Sequence, residues 1–429
     1  MSISPKPSLR NRARGRRAVV VIVTLVVGLG LMIPVALGGA AAPPAVVNYV
    51  KFVGGKAGKA NPKLKPVVIG WINQQGGQFE IGPNATPAAE IAVKLVNDSL
   101  GGIGGHPLVL KKCFIRNAEE EGTTCGQQMA NDKRVSVVLL GGVVVGNQSL
   151  YAALGGKKPV VGSVVILPVD EQQKNGFALF GSATSVLLPD GPFAKNVKKA
   201  KSAAVVYPQV PGLNVGAQAI SDSLKAVGIQ HKVVAFDPNA TDLVGPLTAA
   251  GAQSADIIIL NPNAATCVPL AKALGQLGLN SRVLTQPLCL DPHFLEGYGG
   301  DFPRWDYAIA SSLGADLSDK AVPPVRAVFK KYGQEALVND PWYIAFGQTL
   351  TVAKWLNAIG PTKITSAAVT RQARAFRGPV PLGAPSVQCG GLGGKYKAWP
   401  AVCNDRTQFF RYQGGFVFKR LTGWVRPPG

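Results

Sequence analysis

Short apolar runs that end in glycine or a polar residue recur along the chain between residues 66 and 285. They predict buried parallel strands at residues 66–70, 108–110, 135–140, 159–161, 202–207, 233–236, 255–260 and 282–285. Stretches of helical periodicity separate them and predict helices at residues 86–100, 125–132, 215–227, 241–251 and 267–277. The alternation predicts an α/β protein with two parallel sheets, each covered by helices on both faces.

The pattern changes in the last third of the chain. Helical periodicity predicts two long helices at 322–332 and 341–359 and a shorter one at 366–376. The glycine- and aromatic-rich end predicts short antiparallel strands at 408–412 and 416–420. Ligands of parallel sheets bind beyond the carboxyl ends of the strands, so two facing sheets predict a binding cleft between two lobes.

The N-terminal 65 residues have the features of an export leader and linker. Five arginines lie between residues 10 and 17, and residues 18–37 carry no charge. Small residues follow at 38–42, which is typical of an export signal, although the apolar run is also long enough to span a bilayer. The leader therefore predicts an extracytoplasmic protein, either secreted or anchored to the cell membrane by its N-terminal segment.

The charge adds little to this picture. Residues 1–65 hold eleven basic residues and no acidic one, so half of the formal charge of +22 lies in the leader and linker. The remaining excess is spread along the chain without interleaved aromatic residues. Nucleic acid is therefore not an expected partner.

The six cysteines are an even number in a chain expected to be exported, which predicts disulfides. They are Cys113, Cys125, Cys267, Cys289, Cys389 and Cys403. Six cysteines allow fifteen pairings; the simplest joins sequence neighbours, 113 with 125, 267 with 289 and 389 with 403. A metal site is the alternative, but the chain has no CxxC pair and its histidines lie far from the cysteines, so no metal or cofactor is expected.

Nothing in the sequence matches a catalytic set. There is no GxSxG or HExxH motif, and the three histidines stand in different regions. The acidic groups at 119–121 and at Asp170-Glu171 are interpreted as solvated helix ends. We therefore expect a protein that binds a solute without transforming it.

The order of segments resembles that of a known family over residues 66–419. Val68-Ile-Gly70 opens the first strand, residues 102–110 lead into the second, Thr241-Asp242 precedes a helix, and residues 255–260 form an apolar strand after Ala-Asp. In this order the chain is similar to the type I periplasmic solute-binding proteins, in the branched-chain amino acid-binding (Leu/Ile/Val-binding) branch of ABC-transporter receptors.

The resemblance implies a two-lobed fold whose hinge consists of three crossovers near residues 181–185, 311–314 and 383–389. Lobe 1 would comprise residues 66–182 and 315–382, and lobe 2 residues 183–314 and 383–429. Hinge closure would trap a small polar solute (amino acid-like, an amide or a carboxylate) and present it to an ABC permease in the membrane. A membrane-tethered ligand-sensing ectodomain of the same fold is the alternative, and a secreted enzyme a weaker one.

In this family the solute is contacted from loops that follow strands. The resemblance therefore assigns ligand binding to Gln75, Asn147, Gln148, Ser149, Ser163, Tyr207, Asn263 and Asp291. Asp291 is the favoured partner for an ammonium group, because the family's usual acidic residue and Tyr-Asp pair are replaced by apolar residues and by Gln348-Thr349. Each assignment has an alternative: Asn and Gln also form turns, Tyr207 could pack at a strand end, and Asp291-Pro292 could cap the next helix.

Overall fold

A computed structural model describes residues 45–78, 80–210, 212–392 and 396–428. The predicted basic cluster and apolar segment of the leader lie outside these ranges. Within them, no helix is both long enough and apolar enough to cross a membrane. The described part of the chain begins with a short helix and continues into two lobes, each built on one sheet.

The sheet of the first lobe has five strands in the order β2-β1-β3-β4-β5, all parallel. Its strands are β1 (Val67–Gln74), β2 (Leu108–Ile115), β3 (Val135–Leu140), β4 (Val160–Val165) and β5 (Gly176–Ser182). Each apolar run that predicted one of the first four strands overlaps that strand, and the runs at 66–70 and 159–161 begin one residue before it. The fifth strand was not predicted.

The sheet of the second lobe has seven strands in the order β14-β13-β10-β9-β8-β6-β7. These are β6 (Ser202–Pro208), β7 (Gln230–Phe236), β8 (Ile257–Leu260), β9 (Val283–Thr285), β10 (Asp306–Ile309), β13 (Gln408–Gly414) and β14 (Val417–Arg420). β6 to β10 are parallel, whereas β13 pairs antiparallel with β10 and β14. The second sheet is therefore mixed: β6 to β9 are parallel as predicted, and the antiparallel strands predicted at 408–412 and 416–420 lie at one edge.

Twelve α-helices of the described residues connect and cover the sheets. They are α1 (Tyr49–Val53), α2 (Ala85–Ser99), α3 (Glu119–Asn131), α4 (Asn147–Leu154), α5 (Pro168–Glu171), α6 (Asp190–Asn196), α7 (Leu213–Ala226), α8 (Val244–Ala249), α9 (Cys267–Gln276), α10 (Val322–Lys331), α11 (Ala345–Ile359) and α12 (Ser366–Ala375). A two-stranded ribbon joins β11 (Arg377–Gly378) to β12 (Val387–Gln388).

Each sheet is buried on both faces because successive side chains of a strand point in opposite directions. In β1, Ile69 and Trp71 join a core with α2 and α11, while Val68 and Ile72 join a second core with α3 and α4. The second sheet is divided in the same way, with α8 and α9 on one face and α6 and α7 on the other. Burial on both faces explains why these strands are continuous apolar runs.

Helix α2 does not begin at the residue that the sequence predicted. Asn84 occupies the N-cap position of α2, so Thr86 and Pro87 lie within the first turn. Thr86 is buried, and its Oγ1 accepts a hydrogen bond of 2.8 Å from Nε1 of Trp71. The threonine therefore bonds to the neighbouring strand and does not cap its own helix.

The end of the predicted linker is folded onto the first lobe. The ring of Tyr49 in α1 packs edge-on against Phe346 of α11, with ring centroids 5.4 Å apart. Nζ of Lys354 donates a 2.9 Å hydrogen bond to the carbonyl of Phe52. Residues 49–53 thus belong to the first lobe, which the polar and glycine-containing sequence around them did not indicate.

The chain passes between the lobes three times. The first crossing follows β5, and the second follows β10. The third lies further along the chain than predicted, because Cys389 and Cys403 belong to the first lobe's core and Val402 pairs with Ala178 of β5. The other predicted lobe boundaries stay predictions.

The first and third crossings are bonded to each other. Oγ of Ser185 donates a 2.9 Å hydrogen bond to the carbonyl of Asn404. Oγ1 of Thr407 donates a 2.7 Å hydrogen bond to the carbonyl of Val186. All four residues are buried, so the two crossings form one compact connection.

The cysteines form three disulfides in the local pairing, Cys113–Cys125, Cys267–Cys289 and Cys389–Cys403. The first joins β2 to α3, and the second joins the start of α9 to the turn after β9. Each disulfide closes within one lobe. The prediction of disulfides is confirmed, and the simplest of the fifteen pairings is the one present.

Candidate functional site

A cavity of about 230 Å³ lies between the lobes, next to the first and second crossings. An apolar cavity of about 150 Å³ holds a benzene molecule, so this one has room for a somewhat larger solute. Its wall is formed mainly by apolar side chains from both lobes. These include Val164, Ile166, Val186, Leu187, Leu213, Leu288, Leu290, Ile309, Leu313, Val338, Trp342 and Ile344.

Three amides and two serines interrupt the apolar wall: Asn261, Gln286, Asn339, Ser311 and Ser312. Nδ2 of Asn261 is occupied, since it donates a 2.9 Å hydrogen bond to the carbonyl of Leu213. Oγ of Ser312 likewise donates to Asp319. Nε2 of Gln286 is buried and has no hydrogen-bond partner among the described residues. A buried donor without a partner is costly, so Gln286 is suited to donate to a bound solute.

Two aspartates line the cavity, one from each lobe, and both occupy the same kind of turn. Asp291 and Asp340 each precede a proline and cap a short 3₁₀ helix. Oδ1 of Asp291 accepts a 2.9 Å hydrogen bond from the backbone N–H of His293. Oδ1 of Asp340 accepts one of 2.7 Å from the N–H of Trp342. Proline fixes the start of each turn, and the aspartate satisfies a backbone donor there.

The electrostatic character of this end of the cavity is acidic. Burial raises the pKa of Asp340, although a 2.7 Å hydrogen bond from Asn84 Nδ2 opposes that shift. Among the described residues that line the cavity, none is lysine, arginine or histidine. The wall therefore offers carboxylates and amides but no cationic side chain.

His293 lies beside the cavity wall and interacts with the aspartates of both lobes. Its Nδ1 is 2.6 Å from Oδ1 of Asp291. The hydrogen bond to Asp291 raises the pKa of His293, and the charges of Asp340 and Glu80 raise it further. Glu80 and Asp340 belong to the first lobe and His293 to the second, so protonation of His293 favours attraction between the lobes.

We expect Asp291→Asn to lower the pKa of His293, because the substitution removes both the hydrogen bond and the charge that stabilise the imidazolium. A raised histidine pKa contributes stability that is fully present below the unfolded value of about 6.5 and is lost as the pH rises through the folded value. The measurement is an NMR titration of His293 in both proteins.

Asp242→Asn is the matched control, because Asp242 also accepts a hydrogen bond from the backbone N–H two residues later, in this case Val244. This substitution should leave the titration of His293 unchanged. An identical His293 titration in wild type and Asp291→Asn would show that the contact with Asp291 does not control the imidazole.

The predicted binding residues are all described, and Asp291 alone among them lines the cavity. The alternative interpretation of Asp291, as the cap of the next helix, also holds, since Asp291 caps the 3₁₀ turn that follows it. Asn263 caps a 3₁₀ turn by accepting a hydrogen bond from the N–H of Thr266, and Tyr207 is half-buried near the end of β6. Ser163 is buried, and within the described part of the chain its Oγ has no hydrogen-bond partner.

Three of the predicted residues belong to α4 and take no part in the cavity. Gln148 is exposed on this helix. Ser149 bonds to α3, because its N–H donates to Oε1 of Glu119. Asn147 is buried, and its Nδ2 donates a 2.8 Å hydrogen bond to Oδ1 of Asp170.

Gln75 belongs to a polar network that follows β1. Its Oε1 accepts hydrogen bonds from Nδ2 of Asn73 and Oγ1 of Thr86. Oδ1 of Asn73 in turn accepts a 2.9 Å hydrogen bond from the N–H of Gly142. Asn73, near the end of β1, therefore binds the backbone of the loop after β3, and Gln75 bonds to the side chain of Asn73.

The acidic pair Asp170-Glu171 is buried and not solvated as predicted. The two side chains are only 1% and 2% exposed, and burial raises the pKa of both. Asp170 accepts a 2.9 Å hydrogen bond from the N–H of Leu167, and Glu171 bonds to Ser182 and Thr184 at the first crossing. The hydrogen bonds of this pair therefore stabilise the chain next to the first crossing. The second group, Glu119 to Glu121, is partly or fully exposed.

Most of the cavity wall, including Gln286, Asp340 and Trp342, was not predicted from the sequence. One signal could have found Asp340. Asp340-Pro341 repeats the Asp-Pro pair at 291–292, and both pairs place a carboxylate at the cavity. No cluster of His, Cys, Asp or Glu in the described part of the chain could hold a metal ion.

Comparison with known proteins identifies the architecture. The family model described as periplasmic binding protein matches residues 66–390. A fatty acid ABC transporter substrate-binding protein from Thermomonospora curvata is similar in structure, with a TM-score of 0.65 and 15% identity over 87% of this chain and 95% of that chain. No curated protein has a significant sequence match.

Two further solved structures have the same fold. A leucine-binding protein from Thermotoga maritima has a TM-score of 0.64 and 16% identity, covering 84% of this chain and 99% of that chain. A solute-binding protein from R. palustris in complex with benzoate has a TM-score of 0.60 and 12% identity, covering 85% and 97%. At such identities the likeness concerns the fold.

Proposed function

Because the chain belongs to the periplasmic binding protein family, we propose that it is the extracytoplasmic solute-binding component of an ABC importer. Its solute is a small, mainly apolar molecule with a neutral or cationic polar end. The observation that carries this proposal is the cavity between the lobes, with its apolar wall, its two aspartates and its lack of lysine, arginine or histidine among the described lining residues.

The wall favours an apolar body over the small polar solute expected from the sequence. Leu187, Leu213, Ile309 and Trp342 face the same space from separate segments of the chain. Burying apolar surface stabilises a complex by about 25 cal/mol per Å². A compact polar molecule would leave these side chains without partners, whereas an aliphatic or aromatic group would contact them.

The charges favour a neutral or cationic polar end. A carboxylate would enter a space shared with Asp291 and Asp340 and find no cationic side chain to pair with. Like charges in a partly desolvated site repel, and an unpaired buried charge is costly. An amine, in contrast, could donate hydrogen bonds to both carboxylates, and a neutral acceptor could bind Nε2 of Gln286.

The ligands named for the similar structures share an apolar body with the proposed solute, but their polar end differs from the one proposed here. Leucine, fatty acid and benzoate, named for those proteins, share an apolar group and a carboxylate. This chain offers no cationic side chain for that carboxylate among the described lining residues. We therefore propose a related apolar solute of different charge.

The test is a binding panel of solutes matched in size: cyclohexylamine, cyclohexanol and cyclohexanecarboxylate, with leucine and leucinamide. A ligand at a hundred times its dissociation constant stabilises the folded protein by about 2.7 kcal/mol, which a thermal-shift measurement detects. We expect the amine or the alcohol to raise Tm and the carboxylate of the same shape to leave it unchanged. Preferential binding of the carboxylate would contradict the proposed charge.

Asp291→Asn should weaken binding of the amine by tenfold or more, because a hydrogen bond to a charged group contributes about 1.5–3 kcal/mol. Binding of the alcohol should change less. Asp242→Asn again serves as the control, since it removes a similar carboxylate outside the cavity wall. Isothermal titration calorimetry measures all three effects.

Further experiments on the solute that binds distinguish transport from sensing and from catalysis. Deletion of the gene should abolish uptake of the labelled solute by cells. Normal uptake with a lost transcriptional or motility response would instead support the sensing ectodomain. Recovery of the solute chemically changed after incubation with the purified protein would support an enzyme.

A further inference from the structure

A second, smaller cavity of about 20 Å³ lies behind one wall of the main cavity. Leu290, Leu313 and Asn339 line both spaces, so these residues form the partition between them. The two leucines are apolar and unbranched at Cβ, so a change of rotamer could open the partition without moving the backbone.

The small cavity is lined almost entirely by hydrocarbon. Beyond the partition its wall consists of Phe302, Ala315, Phe416 and Phe418. None of its described lining residues is charged, and Asn339 supplies the only amide among them. Its volume corresponds to about one methyl or methylene group. This chemistry fits the end of an apolar chain and excludes a polar group.

Phe416 forms the outer wall in an unusual backbone conformation. Its φ is 61°, a left-handed value that bulky residues rarely adopt. Its N–H donates a 2.9 Å hydrogen bond to the hydroxyl of Tyr412, which itself donates to Asp301. Its ring packs edge-on against Phe302, with centroids 5.5 Å apart, although 42% of the residue is exposed.

These contacts keep an aromatic ring at the surface where the small cavity would otherwise open to solvent. Strained backbone that its surroundings maintain is often found at ligand sites. Phe418 supports the same wall from β14, with its ring 4.9 Å from that of Tyr412. The wall is thus made of rings held by other rings and by hydrogen bonds.

We propose that the solute ends in an unbranched apolar chain that passes between Leu290 and Leu313 and places its last carbon in the small cavity. The inference rests on the proposed function, because it concerns the same binding site. The small cavity then sets the chain length that the protein prefers, with Phe416 as the limit.

The experiment measures affinity for straight-chain alkylamines from butylamine to decylamine by calorimetry. Each methylene that becomes buried should strengthen binding about fourfold, because its transfer from water contributes about 0.8 kcal/mol. In the wild type the affinity should rise with chain length until both cavities are filled and then stay constant. The length at which the rise stops is the readout.

Two variants should move that length in opposite directions. Ala315→Val adds two methyl groups that fill the small cavity, so the rise should stop about one carbon earlier. Phe416→Ala removes the exposed outer wall, so the rise should continue to longer chains. Leu317→Ala is the control, since Leu317 is 65% exposed and lines neither cavity.

If the affinity stopped rising at the same chain length in the wild type and all three variants, the proposed role of the small cavity would be overturned, even where the amines bind. Where the amines do not bind, the alkanols of equal length carry the same comparison between the variants. Binding of the alkanoates alone would instead overturn the proposed charge preference, and the alkanoates would then carry that comparison, so the two failures remain distinguishable. Thermal unfolding of each variant verifies that it folds.

Discussion

Gly314→Ala is expected to destabilise the folded protein by about 3 kcal/mol and to abolish solute binding. A Cβ at this position would lie 1.7 Å from the carbonyl oxygen of Val338 and 2.7 Å from its carbonyl carbon. Because the contact is with backbone, no side-chain rotamer can relieve it. Gly314 lies in the second crossing and, with Val338, lines the main cavity. The backbone shift that accommodates the methyl group would therefore deform the binding site.

Urea unfolding, monitored by circular dichroism, measures the loss of stability, and calorimetry measures the loss of binding. Gly423→Ala is the matched control, since a Cβ there would meet no heavy atom within 4 Å and its φ is not left-handed. It should leave both quantities unchanged. A Gly314→Ala protein with wild-type stability and affinity would show that the second crossing is less constrained than its contacts indicate.

Removing the Cys267–Cys289 disulfide by replacing both cysteines with alanine is expected to cost about 3 kcal/mol of unfolding free energy. The disulfide closes a loop with a sequence separation of 22 and joins two fully buried residues. It attaches the start of α9 to the turn that holds Gln286 and Asp291. The same change should therefore weaken solute binding as well as lower Tm.

The Cys113–Cys125 disulfide provides the comparison, because it lies in the first lobe and neither of its cysteines lines the cavity. Replacing that pair with alanine should lower Tm but leave the affinity of the remaining folded protein unchanged. Equal losses of affinity in the two double variants would mean that disulfides act on binding only through overall stability. Unfolding curves under oxidising conditions, with calorimetry at 15 °C below each Tm, separate the two effects.

The strands could be predicted from the sequence because burial on both faces makes them continuous apolar runs. Val135–Leu140 is an example in which the predicted and observed limits are the same. The helix α4 was missed because its first residues, Asn147 to Ser149, are polar turn formers, and only their contacts with Asp170 and Glu119 reveal their structural use. The crossing near Asn404 was misplaced because a disulfide and a bridge to β5 keep Cys389, Val402 and Cys403 with the first lobe.

The binding site was much harder to predict than the fold. Polar residues after strands have two uses, binding a solute or satisfying the backbone of the next loop, and the residue type is the same for both. Asn73 has the second use, and Gln75 bonds to the side chain of Asn73. The cavity wall consists of ordinary apolar residues such as Leu213, Ile309 and Ile344, which come together only through the packing of distant segments. No local pattern distinguishes them from core residues.

The placement of the disulfides has a consequence for the mechanics of the molecule. All six cysteines are paired within a lobe, so among the described residues no disulfide joins one lobe to the other. Oxidation can therefore stiffen each lobe without adding a covalent constraint on the angle between them. In the proposed function, a solute that touches both lobes supplies the free energy of closure through its own contacts. We therefore expect occupancy, and not redox state, to determine which conformation a membrane partner meets.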